Sequence, residues 1–469
     1  MLAFNNTMQP WYWRSLPLEH RTGSDIFRAL FLQDAIATLL ESPYPILGDR
    51  PQLAQYSICA GVPRASNGVW QMATPPVGKV LPFLRQLLAP SASQKQFFEQ
   101  TDYPQHLPFT GGWLGWLGYD LAWEIERLPY LKSDPIPFPV AYWYEPEYFA
   151  VLDHLNQTLW LAASKSSQLD ILQSKLTSPA SPASPTSPAS PTSPTLFLTS
   201  QFDYETAVRR AKKYIQAGDI FQANLSVRFT TQTTANSWQI YRALQQINPS
   251  PFASYWRSPW GDVVSCSPER LVKLQNGIAE TRPIAGTRAR GTTPEQDRQL
   301  AQEMLSNAKE RSEHIMLVDL ERNDLGKVCK FGSVKVDQLL AIERYSHVMH
   351  LVSNVTGTLR SDLRAIDLIS AMFPGGTITG CPKVRCMEII AELEPYRRNL
   401  FYGSCGYLDW RGGLDLNIFI RTLLISATNA PNKSVWGQVG AGIVADSDPE
   451  TEWYESLQKA QAQLAALRV

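Results

Sequence analysis

The chain has 469 residues, and its 43 Lys and Arg balance 43 Asp and Glu, so the formal charge at neutral pH is zero. That balance argues against nucleic acid or an anionic membrane surface as partner, since both select a basic excess. An apolar share of 44% against 18% charged residues excludes a wholly disordered chain. Six scattered cysteines form no disulfide framework and fit a reducing compartment. No apolar run nears the ~18 residues of a membrane span, and the first residues lack the basic-then-apolar pattern of a secretion leader, so a soluble, cytoplasmic protein is expected.

In chain order, the pattern predicts a helix from Ser24 to Leu40 and strands at Tyr56–Ala60 and Val140–Leu152. Between them, Phe109 to Glu126 sets glycines among tryptophans, which suggests close backbone packing at a sheet followed by a helix. From Ser178 to Pro194, Ser-Pro recurs every third residue. Proline removes donors and fixes φ, so this tract reads as a solvated, extended loop insertion. It divides the chain into 1–175, a loop at 176–195, and 196–469. The last part alternates helix and strand signals. Tyr204 to Ala217 is a helix stopped by Gly218, and Ile220 to Phe229 alternates like a strand. Thr293 to Gln296 reads as a capping box with Pro294 at the first helical position. Leu414 to Ser426 and Val435 to Val444 read as strands. A last helix starts at Asp448-Pro449 and carries Trp453, Leu457, Ala460, Leu464 and Leu467 at 4-3-4-3 spacing. The expected class is α+β: two large, mainly antiparallel sheets packed together, with helices outside.

Two helices each carry a close carboxylate pair. Glu310 and Glu313 share one face, as do Glu452 and Glu455, with Lys459 four residues further on. Such pairs abound on solvated helices. Facing one another, however, they would make a hard-oxygen site suited to Mg²⁺. Two glycine-rich turns could cradle an anion: Phe373 to Gly380, which leads into a helix near Pro382, and the strand studded by Gly437, Gly440 and Gly442. Neither fits a P-loop or a dinucleotide fingerprint. His347 and His350 are too close for one face plus a third ligand, which disfavours zinc. Cys381 and Cys386 read as buried thiols, and Cys405 has no base nearby in sequence.

These stretches together resemble the chorismate-utilising enzymes, namely component I of anthranilate synthase and of aminodeoxychorismate (para-aminobenzoate) synthase. Isochorismate and salicylate synthases are more distant cousins. The likeness is carried by GDIFQANLSVRF (218–229), SPERLV (267–272), RPIAGTRARG (282–291), KERSEHIMLVDLERNDLG (309–326), HVMHLVSNV (347–355), FPGGTITGCPKVRCMEII (373–390), GYLDW (406–410), IRTL (420–423) and GAGIVADSDPETEWYESLQKA (440–460). It implies Glu313 and Glu455 as direct Mg²⁺ ligands, with Glu310 and Glu452 holding metal-bound waters, the ion acting as template and Lewis acid on chorismate. It implies Glu269 as the general acid at the departing C4 hydroxyl. His350 and Thr377 would line the ring. Tyr407, Arg421 and the N–H groups of Gly440, Ala441 and Gly442 would hold the pyruvyl carboxylate, and Lys459 would complement the acidic site.

The resemblance also frames the product. Asn224 and the Pro-Gly-Gly-Thr-Ile-Thr-Gly loop look like aminodeoxychorismate synthases. Ala285 stands where many of these carry a lysine thought to attack ring C2, and alanine is what anthranilate synthases have there. An alanine can be neither nucleophile nor base, so covalent catalysis from this position is excluded. The expectation is Mg²⁺-dependent amination of chorismate to 4-amino-4-deoxychorismate, for para-aminobenzoate and folate. The alternative is anthranilate plus pyruvate, for tryptophan. A non-catalytic chorismate-binding scaffold is the minor alternative. No glutaminase motif is present, so ammonia would come from a separate glutamine amidotransferase subunit. Leu39 to Ser42 resembles part of the tryptophan feedback site of anthranilate synthases.

Overall fold

In the computed structural model the described residues are 11–42, 51–66, 68–89, 103–129, 132–177, 193–344, 348–428 and 432–468. Most of the Ser-Pro tract, and His347, lie outside them. The larger of two main sheets has 12 strands. In spatial order they are Tyr12–Pro17, Thr158–Ala163, Tyr148–Asp153, Tyr56–Ala60, Ala37–Glu41, Phe252–Ser258, Gly261–Ser267, Thr422–Ser426, Lys433–Ile443, Gln222–Thr233 and Leu196–Phe197, with Gly380–Cys381 also paired to Gln222–Thr233. The second has 10 strands, running Ile284–Ala289, Val348–Thr358, Ile278–Thr281, Arg270–Gln275, Leu414–Asn417, Ser404–Asp409, Gly112–Leu117, Ala141–Tyr144 and Met72–Ala73, with Lys335–Arg344 also on Val348–Thr358. All pairings within these two sheets are antiparallel. The class is α+β, and each sheet draws strands from both sides of the Ser-Pro tract.

The apolar core fills the space between the sheets. Trp116 of the second sheet meets Trp256 of the first edge-on, ring centres 5.8 Å apart, amid buried Leu271, Leu416 and Trp143. Burying such rings supplies most of the driving force that holds two sheets together. Helices Gly23–Leu30, Ser166–Thr177, Ser237–Ile247 and Pro449–Ala466 cover the outer face of the larger sheet. The last of these buries Trp453, Ala460 and Leu467, three of the five residues in its 4-3-4-3 stripe.

Several boundaries differ from the sequence pattern. The helix expected to reach Leu40 stops at Leu30, and Ala37–Glu41 is a central strand. The run Val140–Leu152 divides into Ala141–Tyr144 and Tyr148–Asp153, which lie in different sheets. Leu414 to Ser426 also breaks in two, because Arg421 adopts φ +53°. At the predicted capping box, Thr293 Oγ1 accepts the Gln296 N–H, whereas Gln296 reaches back one residue further, to the N–H of Thr292.

Candidate active site

Two chain segments cross from one sheet to the other side by side. Ser267 ends a strand of the larger sheet and Arg270 starts one of the second; Asn417 and Thr422 bracket the return crossing. The crossings are tied together, the Ile418 N–H donating to the Glu269 carbonyl at 3.0 Å and the Ser267 hydroxyl to the Ile418 carbonyl at 2.6 Å. This lacing fixes Glu269 on one crossing and Arg421 on the other, where neither side chain has to satisfy a sheet's alternation.

Glu269 is 5% exposed. Burial pushes its carboxyl up to about 8 and the nearby Glu321 carboxyl pushes the same way; the Thr377 hydroxyl, close by but outside hydrogen-bonding geometry, and the Ile284 N–H pull back only in part. Loss of solvation for the charged form dominates, so the group keeps its proton at neutral pH. Thr377 follows Gly375 and Gly376 in a short 3₁₀ turn.

Ile284 opens the strand that carries Ala285 and Gly286, with a register shift between Ala285 and Thr287 and φ +66° at Gly286. A side chain at Gly286 would fall 3.0 Å from Glu310 Oε2. Opposite, His350 Nδ1 lies 3.0 Å from the Thr287 hydroxyl and 3.4 Å from the Gly286 carbonyl. Burial drags the His350 imidazole down to about 4, and Arg421 adds to the effect, so the ring is neutral. Arg421 is itself held below its ordinary value by burial, with Tyr402 opposing. Arg421 is half-buried and among the described residues has no ion-pair partner, and such a guanidinium without a carboxylate is a ready receptor for an anionic ligand. The Tyr402 hydroxyl in turn sits 3.0 Å from the place a side chain on Gly440 would occupy, and Lys459 Nζ donates to the Gly440 carbonyl at 3.0 Å.

The circuit closes through the glutamates. Lys459 pairs with Glu455 at 2.8 Å. Glu313 is raised chiefly by burial and then by Glu310, Glu452 and Glu455, against the pull of Lys309; Glu452 is raised by burial and by Glu455. Carboxyls of the two helices are thus near enough to act on one another electrostatically. In this state Glu310 is engaged by Arg288 at 2.5 Å through one oxygen, while its other oxygen is buried without a hydrogen-bond partner. Among the described residues no group of three or more His, Cys, Asp or Glu side chains is gathered closely enough to hold a metal as it stands. The donor set nonetheless fits a hard divalent cation, which would relieve both the mutual repulsion and the orphaned oxygen.

One residue expected beside Arg421 lies elsewhere. Tyr407 is buried, and the charges acting on its hydroxyl belong to Asp415, Asp409, Arg270 and Arg411, not to Arg421. Tyr402, on the loop before that strand, takes the place beside Arg421 and Gly440. Gly440, Ala441 and Gly442, expected as N–H donors, lie together on the strand paired to Asn224–Ser226, with the Ala441 methyl turned to the outer helices' side chains. A side chain on Gly437 would strike the Phe229 ring at 2.1 Å, and one on Gly442 the Gln222 amide at 2.3 Å. The sequence reading also missed Arg288, Thr287, Glu321 and Lys383, since nothing in their spacing marks them. Cys405 and Cys386 are buried free thiols, and Cys381 is half-buried.

Fold and site together define the class: an α+β protein of two antiparallel sheets that carries, at a double strand crossing, a buried acid, a neutral histidine and an arginine without an ion-pair partner among the described residues. Residues 71–465 match the family described as chorismate binding enzyme, and the chain belongs to that family. It is 62% identical over 462 residues, 98% of this chain and 92% of the other, to an anthranilate synthase component I-like protein of Synechocystis. To aminodeoxychorismate synthase component 1 of Bacillus subtilis it is 44% identical over 371 residues, 77% of this chain and 78% of that one. Among solved structures, anthranilate synthase component I from Streptococcus pneumoniae superposes with a TM-score of 0.75 at 33% identity, covering 87% of this chain and 92% of that one.

Proposed function

We propose that the chain aminates chorismate with ammonia and releases anthranilate, pyruvate and water. Ammonia adds at ring C2 while the C4 hydroxyl leaves with a proton from Glu269. The C2 proton and the ring C3–O bond are then lost, and the methylene carbon of the enolpyruvyl group takes up a proton to become the methyl of pyruvate. The observation that carries this reading is Ala285, whose methyl group can form no covalent adduct at C2 and leaves that carbon to ammonia. The Synechocystis and Streptococcus relatives, whose names are those of anthranilate synthases, support the same product over the 4-amino-4-deoxychorismate expected from the loop likenesses.

Arg421, Tyr402 and the N–H groups of Gly440, Ala441 and Gly442 hold the pyruvyl carboxylate, and His350 and Thr377 line the ring. Glu313 and Glu455 would bind Mg²⁺ directly, with Glu310 and Glu452 outside them, once Arg288 and Lys459 release their partners. The ion would supply charge neutralisation for the ring carboxylate. Ammonia comes from a glutamine amidotransferase subunit, in keeping with the "component" names of the relatives.

A second reading, 4-amino-4-deoxychorismate as end product, is favoured by one specific observation. The Asn224 side chain amide reaches the Thr377 carbonyl at 3.5 Å, so the two features that resemble aminodeoxychorismate synthases form one contact. The deciding experiment incubates purified chain with chorismate, ammonium and Mg²⁺ and separates the products by chromatography. Anthranilate with an equal amount of pyruvate is expected; 4-amino-4-deoxychorismate without pyruvate overturns the proposal in favour of the second reading.

A further inference from the structure

Behind the turn that carries Thr377 lies a second carboxyl that the reaction as written does not use. Glu321 projects from helix Ala308–Gly326 and is 4% exposed. We propose that Glu321 is a positioning residue: it anchors the Gly376–Thr377 turn over Glu269 and, as a second acidic group behind that turn, holds the proton on Glu269 until the substrate takes it. The proposal rests on the reading of Glu269 as the proton donor.

The turn is fitted to Glu321 closely. The Gly376 N–H faces its carboxyl and favours the charged form. A side chain on Gly376 would come within 2.5 Å of Leu320 Cδ2 and 3.1 Å of Glu321 Oε1, so this glycine lets the turn settle on the helix. Thr377, the next residue, then stands beside Glu269. On its other side Glu321 Oε2 lies 3.2 Å from Thr281 Oγ1, whose single hydroxyl proton has a shorter partner in the Leu271 carbonyl at 2.9 Å. That shared hydroxyl favours the charged form of Glu321 only weakly; burial outweighs it, and Glu321 keeps its proton up to about 7.

The charges around the pair set when that proton leaves. Glu321 faces Lys383, which pulls it down, and Asp324, which pushes it up; burial is the larger effect and brings it to about 7. Lys383 is bound in turn by Asp324 and by the Met372 carbonyl, so it does not neutralise Glu321 outright. Glu269 faces Thr377, the Ile284 N–H and Glu321. As pH rises Glu321 ionises first, and its charge raises the cost of a second ionisation at Glu269. Two buried carboxyls coupled in this way titrate in separated steps.

The test is the pH profile of kcat/KM for chorismate in Glu321→Gln, which keeps the shape and removes the charge. The activity of a required acid falls as pH rises through its pKa, so the alkaline limb is expected to move to lower pH by about one unit, about tenfold in the protonated fraction, with the acid-side plateau retained. Glu321→Leu, which also loses the Gly376 anchor, should lower the plateau as well. An infrared titration of the protonated carboxyl band that disappears in Glu269→Gln should show the same displacement in Glu321→Gln. An unmoved limb with an unmoved band overturns the proposal. If Glu269→Gln itself turns over at the wild-type rate, the reading of Glu269 fails instead, so the two failures are told apart.

Discussion

Glu269 shows how one side chain trades stability for chemistry. Its folded-state pKa lies above the usual value, so folding binds a proton between about 4.5 and 8. The contribution is intact below pH 4.5 and is lost as pH rises through 8. Glu269→Gln should therefore melt at a higher temperature than wild type at pH 8, with the gap closing toward pH 4.5 in a pH series of thermal scans. The same variant should lose about 10²–10⁴-fold in kcat, the usual worth of a positioned proton donor. Tyrosine supplies the second test at this scale. Tyr402→Phe should raise KM for chorismate about fivefold, the order of one net hydrogen bond, whereas Tyr407→Phe should leave KM unchanged. Equal effects in steady-state assays would contradict the placement of the two rings.

Elements explain why some of this was legible in the chain and some was not. The last helix announced itself because Asp448, Pro449 and the 4-3-4-3 stripe each satisfy a local requirement, and Asp448 does accept the Thr451 N–H at 2.9 Å. Its first turn carries Glu452, so the cap also fixes where the acidic pair begins. Asp448→Ala should cost about 1 kcal/mol in denaturant unfolding and raise the Mg²⁺ concentration needed for half-maximal activity. Helical periodicity alone likewise sets Glu310 beside Glu313 on one face. What spacing could not show is where two elements meet. Leu39 and Leu40 continue an apolar pattern begun in the first helix, yet they belong to a central strand because the chain turns between Leu30 and Ala37. Arg421 interrupts what reads as one strand by taking a left-handed backbone conformation at the crossing. Glu321 and Lys383 look like ordinary helix charges until burial is known, and Tyr402 looks like one more core aromatic.

For the whole molecule, the decisive property is the interleaving of strands. Ala37–Glu41 pairs with Phe252–Ser258, and Gly112–Leu117 with Ser404–Asp409. A specific protease site placed near residue 185, once cut, should leave the two fragments co-eluting on gel filtration and active on chorismate; separation without denaturant would refute shared sheets. Disrupting the junction itself should be far costlier. Trp256→Ala, which empties the space beside Trp116, should lose about 3–5 kcal/mol of stability in chemical denaturation.

The same weave sets an order on synthesis. Gly261–Ser267 finds its outer neighbour only in Thr422–Ser426, more than 150 residues later. During translation the nascent polypeptide therefore trails an open, hydrogen-bond-hungry edge over that stretch, and neither sheet is complete until Leu414–Asn417 and Lys433–Ile443 have emerged. Emerging chains of this kind are exposed to mispairing with one another on crowded polysomes, a hazard that the finished enzyme, with that edge paired, no longer reveals.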